Sequence, residues 1–86
     1  MASQNYIVYA SSLGVPVTGL TPTIDKFAKV SDGTVVSGPS VTEVSASNAP
    51  GMYKFAYDPA TQAVGRVDLG SAATYDGGRY IPISCL

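Results

Sequence analysis

The chain has 86 residues, a net charge of −1 from six acidic and five basic side chains, and no histidine. The missing histidine excludes a Ser-His-Asp or Cys-His site within one chain and removes the commonest metal ligand. The basic residues Lys26, Lys29, Lys54, Arg66 and Arg79 are scattered, so no cluster exists to neutralise nucleic-acid phosphates.

This length suits one domain, expected over 1–86, with a thin core that buries roughly 60–65% of the unfolded surface. Charged residues are 13% of the chain, well under the typical share of about 25%. Ten serines and seven threonines supply much of the remaining polarity. Such a surface is common in β proteins that assemble with neighbours. No run approaches the roughly 18 apolar residues of a membrane span. The first residues, Met-Ala-Ser-Gln-Asn, lack the pattern of a signal peptide, so synthesis and folding in the cytosol are expected.

In chain order, Tyr6 to Ser11 ("YIVYAS") is the first predicted strand, with Tyr6 and Tyr9 on opposite faces. Leu13 to Leu20 ("LGVPVTGL") reads as a linking loop whose Val15, Val17 and Leu20 plug the underside. Pro22 to Ser31 is the only helix candidate. Its β-branched and aromatic residues Thr23, Ile24, Phe27 and Val30 favour a strand, with a one-turn helix as the alternative. Asp32-Gly33 is a hairpin turn from which Thr34 to Val36 is expected to pair back. Val41 to Ser45 ("VTEVS") is the next strand.

The stretch "APGMYKFAYDPA", residues 49–60, carries the cleanest alternation. After a turn at Asn48-Ala-Pro-Gly51 it places Tyr53, Phe55 and Tyr57 on one face and Met52, Lys54 and Ala56 on the other. Val64 to Leu69 and Arg79 to Ser84 complete the set, and Pro82 marks the last strand as an edge. Seven short strands separated by turn signals predict an all-β, antiparallel sandwich. Strand order is open between immunoglobulin-like and transthyretin-like. Phe27 and Phe55 are the expected core. Tyr53 and Tyr57 are expected at its rim, hydroxyls in water, or alternatively on an exposed aromatic binding face.

Little else carries chemistry. The glycine-bearing stretches "DGTVVSG" and "DLGSAATYDGG" lack phosphate-loop spacing. Asp68 and Asp76 are a thin pair for calcium, which wants six to eight oxygens, and Asp before Gly is ordinary turn chemistry. Glu43 is expected to pair with Lys54 or Arg66 across strands. The lone Cys85 forms no internal disulfide and reads as a thiol at a frayed end. No catalytic residues, cofactor or metal are expected.

The run "VPVTGLTPTIDKFAKVSDGTVVSGPSVTEVSASNAPGMYKFAYDP", residues 15–59, resembles small β-sandwich modules encoded among bacteriophage and prophage structural genes. The matching features are Thr18-Gly19-Leu20 with Thr21-Pro22, Asp32-Gly33, Pro39 with Glu43, and Gly51, Tyr53 and Phe55. The later "GRVDLG" and "GGRY" resemble the tail of that group. The Gly-x-Tyr-x-Phe element is also similar to transthyretin-like and carboxypeptidase-regulatory-like sandwiches of extracellular proteins. The phage resemblance implies a non-enzymatic virion component, a head decoration or a neck, tail or baseplate accessory. It would act in several copies on other virion proteins, with residues 1–5 and 84–86 as docking arms. The alternative is a carbohydrate- or surface-binding module of an extracellular or adhesive protein. Tyr53, Tyr57, Tyr75 and Tyr80 are the candidate interaction surface.

Overall fold

A computed structural model describes residues 3–86. The chain is all-β and antiparallel, with eight strands: β1 (Gln4–Tyr9), β2 (Ser11–Ser12), β3 (Val15–Pro16), β4 (Thr23–Lys29), β5 (Thr42–Ser45), β6 (Ala49–Tyr57), β7 (Ala63–Asp68) and β8 (Tyr80–Cys85). They form two three-stranded sheets, ordered β1-β6-β5 and β4-β7-β8, and the small ribbon β2-β3. Among the described residues no helix is long and apolar enough to cross a membrane.

The inward side chains of both sheets join one apolar cluster, consistent with a small β-sandwich. Val8, Tyr53 and Phe55 come from one sheet, and Phe27, Ala63, Val67, Ile83 and Cys85 from the other. Phe27 meets Tyr57 edge-on across the two sheets, with ring centroids 4.9 Å apart. Phe55 stacks on Tyr6 at 5.4 Å. Both phenylalanines are buried, at the positions their alternation predicts.

Several elements depart from the sequence expectations, each for a local reason. The stretch Leu13–Leu20 is not merely a loop, because Ser11–Ser12 pairs with Val15–Pro16 around Leu13-Gly14. Both turn residues have positive φ, 51° and 76°, the geometry that matches a two-residue turn to strand twist. Thr34 to Val36 does pair back across Asp32-Gly33, with the Lys29 N–H donating to the Thr34 carbonyl and the Val36 N–H to the Phe27 carbonyl, but as a single bridge from Val35 to Ala28 and not as a strand. The turn expected at 48–51 lies earlier, since β6 already starts at Ala49. By contrast, Pro22 to Ser31 is strand over Thr23–Lys29, as its β-branched and aromatic residues lead one to expect. Pro82 does lie in an edge strand, β8.

The expected arms also change. Met1 and Ala2 lie outside the described residues. Gln4 and Asn5 pair with Tyr57 and Ala56 in β1. Ser84 and Cys85 pair with Val64 and Ala63 in β8. Cys85 is fully buried, not at a frayed end, because β8 continues to that residue and turns its side chain inward.

Candidate interaction surfaces

Two of the four candidate tyrosines are core residues. Tyr53 has no exposed surface. Its hydroxyl donates to the Val17 carbonyl at 2.8 Å and accepts from the Leu20 N–H at 3.1 Å. The segment after β3 therefore folds over the ring and replaces the water expected at its hydroxyl. Burial pushes the Tyr53 phenol above its ordinary range. Tyr75 is also buried, its hydroxyl 3.4 Å from the Leu69 carbonyl it donates to. Tyr57 is half-buried and donates to the Thr61 carbonyl at 2.8 Å. Tyr80 is the most exposed of the four, at 39%.

Even that ring is occupied. The Arg66 guanidinium lies 4.1 Å from the centroid of Tyr80 and that of Arg79 lies 5.3 Å away. Arg66 donates to Asp25 at 2.6 Å. Arg79 donates to both oxygens of Asp68, at 2.7 and 3.1 Å, a bidentate geometry. Asp25, Arg66, Tyr80, Arg79 and Asp68 thus form one chain of contacts along β4-β7-β8, with its charges balanced. The Arg79 guanidinium, helped by the Gly70 N–H, holds the Asp68 carboxyl below the usual carboxylate range. Arg66 pairs with Asp25 and not with Glu43, which instead accepts from the Gly19 N–H at 3.3 Å.

Asp76 has a different task. It accepts from the Leu13 N–H at 2.8 Å, the Gly14 N–H at 2.9 Å and the Ser11 hydroxyl at 2.8 Å. Its own N–H donates to the Ser11 carbonyl at 2.9 Å. One carboxylate therefore clasps the β2-β3 turn to the 70–79 loop. The Gly14 N–H and then the Ser11 hydroxyl hold its carboxyl below the usual range. Asp68 and Asp76 serve separate donor sets, and among the described residues no group of three or more metal-ligating side chains occurs.

The outer face of β1-β6-β5 is the surface that residue-by-residue reading missed. Its rows, read across the sheet, are Ile7-Lys54-Thr42, Tyr9-Met52 and Asn5-Ala56, with Val44 following on β5. Ile7 is 55% exposed, Tyr9 47%, Met52 41% and Val44 40%. Lys54 is the only ion in these rows. The signal was present in the sequence as the even-numbered side of "MYKFAY", yet its apolar character appears only when β1 and β5 are set beside β6. Isolated exposed apolar residues are ordinary, whereas a contiguous set on one sheet face marks a contact surface.

Beside this face, an open groove of about 450 Å³ runs between β1 and β8, lined by Tyr6 to Tyr9 and Ile81 to Ser84. Among the described residues the buried Tyr6 hydroxyl has no hydrogen-bond partner. Desolvation raises its phenol above the ordinary range.

Compared with known protein families, with curated proteins and with solved structures, the chain matches none.

Proposed function

We propose that this chain is a non-enzymatic bacteriophage virion structural protein, a head decoration or a neck, tail or baseplate accessory. It acts through protein–protein assembly, in several copies on other virion proteins. The observation that carries this reading is the exposed apolar set Ile7, Tyr9, Met52 and Val44 on the outer face of β1-β6-β5, where a self-sufficient monomer would normally present polar residues. The phage-type resemblance adds support. Two of its separated features, Thr18-Gly19-Leu20 and Gly51-x-Tyr53-x-Phe55, meet through the Tyr53 hydroxyl and the Leu20 amide.

The carbohydrate-module alternative needs open aromatic rings. Tyr53 and Tyr75 are buried, Tyr57 is half-buried and hydrogen-bonded, and Tyr80 is covered by two guanidiniums. No specific observation favours it.

The test is to tag the chain in its native genome, induce particle production and band the particles on a density gradient. The tag is expected in the particle band at a fixed ratio to the capsid protein. A tag that stays in the soluble fraction while particles form normally refutes a virion role.

A further inference from the structure

The two outer sheet faces differ in what surrounds their charge, ion pairs on β4-β7-β8 and mostly apolar side chains on β1-β6-β5. On β4-β7-β8 both arginines have aspartate partners, while Lys26, opposite Arg66, has none among the described residues and stands beside those pairs. On the outer face of β1-β6-β5 the single ion is Lys54, and it has no carboxylate partner among the described residues. Lys54 lies near the middle of β6, the central strand, flanked by Ile7 on β1 and Thr42 on β5. Tyr9, Met52, Val44 and Ala56 make the rest of its surround mostly apolar, with Asn5 and Thr42 as its polar members.

On the protein-assembly reading above, we infer that this face docks a different protein, whose contact surface is apolar and carries one carboxylate opposite Lys54. A second copy of this chain is the wrong occupant. A two-fold axis through the face sets the two Lys54 ammoniums against each other, and like charges repel most where water is excluded. A purely apolar partner is also wrong, because it strips water from the ammonium and returns no counter-ion. A carboxylate ringed by apolar side chains supplies both terms and fixes the register of docking.

The size of the face sets the strength. Three strands about 4.8 Å apart and some 25 Å of strand length give on the order of 350 Å² of flat area. That is below the roughly 800 Å² per partner of a stable one-to-one complex. The contact is therefore weak for a single pair and becomes firm when many copies engage one particle together.

The Lys54→Glu variant is the probe, because it presents the same apolar ring around a carboxylate. Wild type, Lys54→Glu and their equimolar mixture are compared by sedimentation from micromolar to millimolar concentration. Thermal melts check that each is folded, and Lys54→Asp replaces Lys54→Glu should the latter not fold. Each chain alone is expected at the monomer mass of 8.8 kDa. The mixture is expected to shift toward twice that mass, more strongly at low salt. Met52→Lys in either partner should abolish the shift. Two results overturn the inference: a mixture that stays monomeric throughout, or a wild type that dimerises alone through a contact Met52→Lys removes. In the second case a second copy covers the face, and assembly itself survives. Failure of the particle-banding assay with association in the mixture would instead refute only the virion role.

Discussion

Tyr53→Phe removes a single oxygen atom and two hydrogen bonds. The Tyr53 ring is buried between the sheets, so the phenylalanine keeps the packing. What it loses is the donation to Val17 at 2.8 Å and the acceptance from Leu20 at 3.1 Å. A protein hydrogen bond contributes about 1 kcal/mol net, and partners left without one add to the loss, so the change costs about 2 kcal/mol. Unfolding entropy near 2.1 cal/mol/K per residue gives the 86-residue chain roughly 0.18 kcal/mol/K. The melting temperature should fall on the order of 10 °C. The readouts are a thermal melt followed by circular dichroism and the hydrogen-exchange rate of the Leu20 amide, which should rise as its acceptor vanishes. Tyr6→Phe is the matched control. It deletes a buried hydroxyl with no partner, so its melting temperature should hold or rise. A Tyr53→Phe chain that melts within about 2 °C of wild type, its Leu20 amide still protected, would refute the tether.

Three further expectations concern the framework. Gly65→Ala places a methyl group on the Lys26 carbonyl oxygen, backbone that cannot rotate away. It should cost about 3 kcal/mol, the upper end for overpacking, read from the urea midpoint. Burial pushes the Cys85 thiol up, so it should react slowly with a thiol reagent at neutral pH and rapidly once urea unfolds the chain. Asp76 and Asp68 have folded pKa values below the ordinary carboxylate range, so the unfolded chain takes up their protons first on acidification. Their stabilisation is complete above about pH 4 and is lost as pH falls through their folded values. Melts across that range should show the loss, and Asp76→Asn should flatten it.

The phage resemblance rests on turn and core residues, which speak to fold before function. The same residues explain why the site was harder to read than the framework. Tyr53 and Tyr57 share one face of β6, and alternation alone treats them as equivalent. The Val17–Leu20 segment covers one of them and leaves the other half-buried. Tyr75 lies in a loop with no periodic pattern, so nothing local announces that it turns inward. Asp76 looked like turn chemistry, and the turn it clasps, Leu13-Gly14, is more than sixty residues away in the chain.

By itself the sequence determined the all-β class, six of the eight strands to within a few residues, and the buried places of Phe27 and Phe55. Those features follow from a two-residue period and local turn chemistry, and both are written in neighbouring residues. Only the tertiary structure decided which strands share a sheet. That choice placed Ile7 and Thr42 beside Lys54, paired Arg66 with Asp25 and buried Cys85 at the end of β8 against β7. Long-range pairing depends on the fit of whole faces, which no short stretch of chain contains. The proposed contact surface belongs to that second group, because a face exists only once its strands lie side by side.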